Sequence, residues 1–416
     1  MFKKVIVTLI VISLSISYAY SQGSVSGSEF DYLGRGYLNT VQTAVPFLLI
    51  APDSRAGAMG DVGAATSADA ASQHHNPAKN VFNENKFGIS VSYSPWLKQL
   101  INDIHLLYLG MYLKPTDKDA IAFSLRYFSL GEITFTNDEG GFMSYQKPNE
   151  FAIDLSYSRK LIDELSIALT PKFIYSDLTA RQYSGNVETK AGIAGAADLS
   201  LFYEQDFRSR KMHNQTLRAG LNISNIGNKM SYSDGTQKRD FISTNLKLGV
   251  GYTMEFDPYN KLAVTGELNK LLVPTPCVYQ TDSNGKAVYD DANNRIIKAG
   301  RDPNVGVPLG MIQSFYDAPG GFKEEMSEFI WAIGIEYAYR DLLFVRAGYF
   351  NESKNKGNRK FFTVGAGIQY NIIGIDVAYL FTINQHHPLE NTLRFTLTFD
   401  FASFNSTEIK NQRKVR

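Results

Sequence analysis

The small-residue run at 52–65 is the part of this sequence that comes closest to a ligand-binding loop. Its glycines recur at three-residue spacing, at Gly57, Gly60 and Gly63, and glycine backbone can approach a phosphate closely. The run lacks the G-x-x-x-x-G-K-[ST] lysine, however, and no βαβ pattern surrounds it. The sequence therefore favours a compact, sharply turning insert over a nucleotide-binding loop, and it predicts no cofactor.

Two histidine pairs are the other candidates for metal binding or acid–base chemistry. They stand at 74–75 and 386–387, and each pair lies in a connection between predicted strands. No cysteine or H-E-x-x-H pattern accompanies either pair, so we predict no metal site. The sequence also lacks a G-x-S-x-G nucleophile elbow, and we predict no catalytic residue.

An acidic stretch at 282–291 could belong to an incomplete calcium loop. Its DSNG sequence at 282–285 lies between two segments that can pair as strands. Asn-Gly in that setting is typical of a type I′ hairpin, which is the interpretation that we prefer.

From residue 86 onward the chain alternates apolar and polar residues, which predicts strands with one apolar and one polar face. In 329–339, Phe329, Trp331 and Ile333 alternate with smaller residues. Such segments lie at 86–95, 104–113, 119–130, 150–160, 165–178, 191–205, 215–224, 241–256, 260–271, 326–340, 342–352, 360–371, 372–383 and 391–403. Their lengths suit membrane strands of about 9–11 residues better than soluble strands of about 5–6. We predict an all-β fold, a transmembrane antiparallel β-barrel of about 14 strands.

The connections between these segments sort by length, as an outer-membrane barrel requires. Connections after the even-numbered strands are short, as at 114–118 and 162–164. Those after the odd-numbered strands are mostly longer, as at 131–149 and 272–325. A soluble sandwich gives no reason for this alternation. We expect the long loops outside the cell and both termini in the periplasm.

Composition excludes several other classes of protein. The chain of 416 residues is 44% hydrophobic, yet after the N-terminal leader no run approaches the roughly 18 apolar residues of a spanning helix. A net charge of +1 leaves no electrostatic footprint for nucleic acid. The single Cys277 cannot form an intramolecular disulfide.

The first 21 residues have the pattern of a secretory signal peptide. Lys3 and Lys4 precede an apolar stretch, and Ala19 and Ser21 supply small residues before a cleavage site. The other predicted segments are a periplasmic N-terminal segment at 22–45, an N-terminal plug inside the barrel at 46–85, the barrel at 86–403 and a polar C-terminal tail at 404–416.

If the apolar faces meet lipid, charges of both signs line the lumen. They are Arg126, Asp154, Lys172, Asp198, Glu204, Arg218, Lys247, Glu255, Glu267, Glu336, Asp376, Arg394 and Asp400. Buried ions are tolerated when they are paired, so we expect them to pair with each other and with Asp53, Arg55 and Asp61 of the plug. The simplest interpretation is that this network holds the plug in place.

The long loop at 272–325 is the best candidate for a partner surface. A loop of this length is uncommon unless it has a use. It carries the apolar residues Pro308, Leu309, Met311, Ile312, Phe315 and Tyr316. An exposed apolar patch of this kind suggests a binding surface, although the segment could equally fold back as a lid over the barrel.

The N-terminal part of the plug resembles the signature of the PorV family, the outer-membrane barrels of the type IX secretion system. The matching residues are Pro52, Asp53, Arg55, Ala56, Gly57, Met59, Gly60, Asp61, Gly63, Asn76, Pro77 and Ala78. The Asn-Pro-Ala triplet before the first strand is also similar to the end of the plug in the wider FadL-like family of fourteen-stranded barrels. The resemblance implies a structural role for these residues.

The resemblance also implies a non-enzymatic function in protein secretion. Members of the family bind the C-terminal signal domain of secreted cargo and partner the translocon barrel. They deliver the cargo to a surface attachment complex that contains the PorU sortase-like protease. Outer-membrane lipid is the other expected partner, and cargo contacts are expected on the loops at 131–149 and 272–325.

Two alternative functions stay open from the sequence. A FadL-like channel for uptake of hydrophobic small molecules shares the architecture, but it needs an apolar route through the lumen and a mobile plug. An outer-membrane lipid-modifying enzyme needs a lipid-facing catalytic set, and the sequence offers no such set.

Overall fold

Fourteen antiparallel strands close into a single barrel. The computed structural model describes residues 39–96, 103–136, 141–178, 183–184, 187–207, 214–233, 239–282, 286–291, 293–383, 389–390 and 392–401. The barrel strands are β1 (Phe87–Pro95), β2 (Ile104–Leu113), β3 (Asp119–Leu130), β4 (Asn149–Ile162), β5 (Leu165–Asp177), β6 (Gly192–Phe207), β7 (Asn214–Gly227), β8 (Asn245–Glu255), β9 (Asn260–Leu271), β10 (Ile330–Tyr339), β11 (Leu343–Asn351), β12 (Lys360–Tyr370), β13 (Ile373–Thr382) and β14 (Leu393–Phe401). Each strand pairs with the next along the chain, and β14 pairs with β1. The predicted fold class is confirmed.

Period-2 alternation decides which side chains face out of the barrel. In β10, Trp331, Ile333 and Ile335 are exposed, whereas Ala332 and Glu336 are buried. Because side chains alternate between the two faces of a strand, one face of the wall is apolar and the other small or polar. This is the arrangement of a barrel whose outer face meets hydrocarbon.

The connections between strands alternate in length around the barrel. Those at one end have two to six residues, and those at the other have eight to 58 residues. We call these the short-turn end and the long-loop end. Three long connections contain small hairpins, formed by Ile133–Thr136 with Phe142–Gln146, Tyr183–Ser184 with Val187–Glu188, and Val278–Tyr279 with Ile297–Ala299.

The chain ahead of β1 forms a compact, buried unit, residues 44–83, which we call the inner segment. It contains α1 (Ser54–Gly57) and α2 (Ser72–His75), with 3-10 turns at Pro46–Leu49 and Pro77–Phe82. It hydrogen-bonds to inward-facing side chains from β3, β4, β7, β9, β10, β12 and β14. Partners on so many sides place the inner segment within the barrel.

Two short helices follow β9 at the long-loop end, α3 (Val307–Gln313) and α4 (Phe322–Ser327). The predicted start of a strand at 326 is wrong, because 326–327 lie in α4 and β10 begins at 330. The reason is that α4 directs its acidic side chains toward a buried lysine. None of the described helices has the length and apolar content needed to cross a membrane.

The domain boundaries predicted from the sequence stay predictions. The signal peptide at 1–21, most of the segment at 22–45 and the tail at 404–416 lie outside the described residues.

Candidate functional site

Asp53 joins the two helices of the inner segment. Its Oδ2 accepts a hydrogen bond from the Ala56 N–H at 2.8 Å and so caps α1. Its Oδ1 lies 2.6 Å from His75 Nε2. The neighbouring His74 directs Nδ1 at the guanidinium of Arg126 on β3. Both histidines at 74–75 therefore hold the inner segment together and to the wall.

Arg55 links the inner segment to the barrel through a pair of parallel hydrogen bonds. Its Nε and Nη2 donate to the two carboxylate oxygens of Glu336 on β10, at 2.9 and 2.8 Å. Its Nη1 donates to Asp69 at 2.8 Å. Glu336 also accepts from Nε of Arg346 at 2.6 Å, and Arg346 pairs with Asp376. This planar, two-bond geometry fixes orientation as well as position.

The turn after α1 is held by a second ion pair and by a carboxylate that accepts two backbone hydrogen bonds. Asp61 pairs with Arg394 on β14. The Glu267 carboxylate on β9 accepts the N–H groups of Gly63 and Ala64, both at 2.8 Å. Of the three plug charges expected to pair with the wall, Arg55 and Asp61 do so, whereas Asp53 bonds to His75 instead.

Glycine is required where the inner segment touches the wall backbone to backbone. Gly60 has φ +72°, and a Cβ there would lie 2.7 Å from the Tyr349 carbonyl oxygen. A Cβ on Gly348 of β11 would lie 2.1 Å from the Met59 carbonyl carbon. Since Cβ atoms do not approach backbone so closely, the two chains meet only because both positions lack a side chain.

The Asn-Pro-Ala triplet ends the inner segment by anchoring it to β6. Asn76 Nδ2 donates to the carbonyls of Ala64 and Leu201, at 3.1 and 3.0 Å. Its Oδ1 accepts the Ala78 N–H and caps the last 3-10 turn, and Pro77 stands at the first position of that turn. The remaining signature residues Pro52, Ala56, Gly57 and Met59 are buried around these contacts.

One lumen cluster joins two of the predicted lumen charges to Asn225, which the sequence pattern did not single out. Lys172 donates to Asp198 at 3.1 Å and to the Asn225 side chain at 2.7 Å. Asn225 has φ +61° and forms an extra residue in β7, where the register with β6 shifts. Arg346 was also missed, although its charge on the alternate position of a predicted strand was a usable signal.

The chemistry of the inner segment is structural. Its charged groups are buried or half-buried and are directed at each other or at the wall, and its glycines pack against the protein's own backbone and side chains. Across the described ranges, no group of three or more His, Cys, Asp or Glu side chains could hold a metal ion. The histidines at 386–387 and the hairpin tip at 283–285 lie outside those ranges.

The second candidate site is the apolar face of α3 at the long-loop end. Leu309 and Ile312 are 52% and 62% exposed. Pro308, Phe315 and Tyr316 are also exposed, and Met311 is half-buried. The structure thus brings all six sequence-predicted residues together on one helix and the turn after it. We call these six residues the α3 patch.

A buried ionic cluster supports the α3 patch from below. Lys270, at the end of β9, pairs with Glu325 at 3.3 Å and with Glu328. Lys356, from the connection between β11 and β12, reaches Glu328 at 3.0 Å and Glu324 at 2.6 Å. The ammonium of Lys270 also lies 5.7 Å from the Phe315 ring centre. The cluster therefore fixes α4 and the end of α3 to the barrel rim.

A buried carboxyl group beside this cluster predicts that the stability of the folded loop depends on pH. Burial raises the pKa of Asp317 to about 7, the charges of Glu325 and Glu328 add to the rise, and the N–H of Thr275 opposes it. Burial likewise raises the pKa of Glu325. The unfolded pKa values are about 3.9 and 4.3, so the folded loop binds these protons more tightly. The stability that these two protons contribute is therefore fully present at low pH and is lost as pH rises through about 7.

We expect residues 307–327 to exchange amide hydrogens faster at pH 8 than at pH 5, after correction for the intrinsic rate. The pKa of Glu328 is lowered, mainly by the bond from Lys270 and against the effect of burial. Its titration therefore falls below this pH window. In Asp317→Asn the difference in exchange rate between pH 8 and pH 5 should become smaller. An unchanged ratio of the two exchange rates in that variant would rule out Asp317 as the cause.

The hairpin after β3 is a second exposed apolar feature at the long-loop end. Phe142 and Tyr145 are both exposed and their ring centres lie 4.8 Å apart. Ile133 on the facing strand is exposed as well. This hairpin occupies most of the loop at 131–149, the other loop where the family resemblance implies partner contacts.

A closed antiparallel barrel with an apolar outer face and a polar interior defines an integral outer-membrane protein. A family model described as "Type IX secretion system protein PorV" matches residues 35–278, which is more than half of the chain. The chain belongs to the PorV family and is an outer-membrane component of the type IX secretion system. No curated protein matches its sequence.

Solved structures with a similar fold include three barrels. The toluene transporter TbuX of Ralstonia pickettii is 12% identical, with 85% of this chain and 98% of that chain covered and a TM-score of 0.44. A FadL homologue of Pseudomonas aeruginosa is 13% identical, with 88% and 100% covered and a TM-score of 0.42. The toluene transporter TodX of Pseudomonas putida is 11% identical, with 87% and 98% covered and a TM-score of 0.44.

Proposed function

We propose that this protein is a non-enzymatic carrier that binds the C-terminal signal domain of secreted cargo at its long-loop end. It receives cargo beside the translocon barrel and delivers it to the attachment complex that contains the PorU sortase-like protease. The observation that carries the proposal is the α3 patch, an apolar surface held on a rigid, ion-paired base. Membership of the PorV family supports it.

The proposed orientation puts the long loops at the cell surface and the end of β14, at the short-turn end, in the periplasm. A periplasmic N-terminus is not part of the proposal, because Asn39 lies at the long-loop end, where it donates to the carbonyl of Pro276. Outer-membrane barrels combine long external loops with short periplasmic turns, and the two ends of this barrel differ in that way. The α3 patch and the exposed hairpin at 133–146 then face the cargo as it leaves the translocon.

The contacts of the inner segment argue against the alternative function, uptake of hydrophobic small molecules. A channel of that kind needs an apolar route and a plug that can move. Here Arg55 and Asp61 bind buried wall charges, and Glu267 holds two backbone N–H groups. Removing one partner of such buried pairs costs several kcal/mol, roughly 3–5. The inner segment therefore acts as a fixed support rather than a gate.

The cargo proposal is tested by replacing the two most exposed residues of the α3 patch. Leu309→Ser with Ile312→Ser removes two apolar contacts, each worth about 1–2 kcal/mol at the centre of an interface, so cargo affinity should fall at least about tenfold. The measurement is co-purification of proteins that share one C-terminal domain from detergent-solubilised outer membrane. Tyr289→Ser, at an exposed position of the same loop, is the matched control.

Two outcomes would contradict the cargo proposal. One is undiminished cargo recovery with the double variant, provided that the barrel is assembled in normal amounts. The other is the absence of any such set of proteins from the wild-type preparation, in which case uptake of labelled hydrophobic solutes by proteoliposomes becomes the better hypothesis.

A further inference from the structure

The helix α4 has its acidic side chains buried or half-buried, whereas its two apolar side chains and Lys323 are exposed. Phe322 and Met326 are 78% and 48% exposed, and they stand four residues apart on one face. Glu325 and Glu328, on the other side, are buried against Lys270. A surface helix of a soluble domain has the opposite arrangement. The environment outside α4 is therefore expected to be apolar.

The lysine beneath α4 belongs to the outer face of the wall. Lys270 stands on β9 two residues after Leu268, which is exposed on the outward face, so the two side chains leave the same side of the strand. An outward-facing lysine should be in contact with solvent or headgroups, yet Lys270 is only 1% exposed. It is buried because α4 and Phe315 cover it from outside the barrel.

The position of α4 along the membrane normal follows from the aromatic residues that come next to it on the outer wall. Trp331 lies four residues after the end of α4 and pairs with Leu268. The rings of Trp331, Tyr349 and Phe362 form an outward row, with centres 5.3 and 4.8 Å apart. Rows of aromatic rings on a barrel mark the boundary between hydrocarbon and headgroups. The helix therefore begins where the hydrocarbon ends.

An apolar groove lies on the wall across strands β5 to β10. Leu268 and Trp331 belong to its lining, and its volume is about 710 Å³. Gly266 lies at its floor, with no atom within 4 Å of the position that a Cβ would take. The outer wall at Trp331, four residues after the end of α4, is therefore apolar.

We propose that α4 lies in the interfacial layer of the outer leaflet, with Phe322 and Met326 in contact with membrane lipid. The choice of leaflet depends on the orientation given under the proposed function. A protein occupant is less well supported, because α4 covers Lys270, an outward-facing residue of the barrel wall. The exposed Lys323 of α4 suits contact with lipid headgroups. The helix then holds the α3 patch at the membrane surface, since Phe315 and α4 share Lys270.

The experiment measures the depth of Met326 in proteoliposomes that contain no cargo. A nitroxide is attached to Met326→Cys in a Cys277→Ser background, and its relaxation by oxygen, which concentrates in lipid, is compared with that by a water-soluble nickel chelate. A label at Ile335→Cys on the wall gives the lipid reference, and a label at Tyr289→Cys, between the paired strands Val278–Tyr279 and Ile297–Ala299, gives the water reference. We expect oxygen to relax the label at 326 more strongly than the nickel chelate does. The ratio of the two relaxation effects at 326 should be closer to the ratio at 335 than to the ratio at 289.

A ratio at 326 equal to that at 289 would overturn the proposal, because it would leave the face of α4 open to water or to a protein partner. A second measurement covers the case in which the labelled variant does not assemble. Phe322→Trp, in a background with Trp96→Phe and Trp331→Phe, should be quenched by bromine near the lipid headgroups rather than by aqueous acrylamide. The reverse pattern would also overturn it. Neither result bears on cargo binding by the α3 patch, which is measured separately.

Discussion

Replacing Gly348 by valine is expected to expel the inner segment from the barrel. A Cβ at this position would lie 2.1 Å from the carbonyl carbon of Met59 and 2.2 Å from the nitrogen of Gly60. Neither atom belongs to a flexible side chain, so the inner segment itself must move. Because the segment is packed on all sides at interior density, no small displacement relieves the clash.

The measurement is tryptic cleavage at Arg55 in isolated outer membranes, followed by mass spectrometry. Arg55 is largely shielded and ion-paired in the native barrel, so the wild type should resist cleavage there. Gly266→Val is the matched control, since Gly266 also lies in a barrel strand but faces open space on the outer wall. Equal protection of Arg55 in the two variants would contradict the expectation.

Replacing Glu336 by alanine is expected to remove about 3–5 kcal/mol from the free energy of unfolding. The substitution leaves two guanidinium groups, those of Arg55 and Arg346, without the carboxylate that they share. Both are buried or nearly so, and an uncompensated buried charge is costly. Because Arg55 reaches the barrel wall through Glu336, we also expect the inner segment to loosen before the strands do.

Denaturant titration of the refolded barrel in lipid tests this prediction. The control is Glu132→Ala, which removes an exposed ion pair with Lys147 at the long-loop end. Exposed pairs contribute about 0–1 kcal/mol, so the control should hardly shift the midpoint. A loss for Glu336→Ala no larger than that of the control would mean that the ionic network does not hold the inner segment.

The barrel could be predicted from the sequence because every strand must present apolar side chains to lipid on one of its faces. Residues such as Trp331 and Ile333 must face hydrocarbon, and the alternate residues must not, so the period of two is visible throughout. The long loop has no such requirement. The last two residues of α4, 326–327, were assigned to the following strand because no glycine or proline separates them from β10.

Partner choice inside the barrel was only partly predictable. A charge on the inward face of the wall requires a partner because it is buried. For that reason Arg55 and Asp61 of the inner segment were expected to bind the wall, and they do. Which partner it finds depends on register and on the path of the inner segment. Asp53 meets His75 because a short helix brings 75 back beside it, and no pattern in the sequence shows that turn.

The order in which the inner segment acquires its partners has a consequence for biogenesis. The segment leaves the ribosome before any strand, yet the Ser54 N–H is held by Thr396, 342 residues later, and Asp61 by Arg394 of the same last strand. Such distant pairs form only after the intervening loop has been closed, which costs entropy. A chain that stops short of β14 lacks both the strand that pairs with β1 and these anchors, so its N-terminal region stays open to periplasmic proteases. The fold thereby gives quality control a means of distinguishing finished chains from truncated ones.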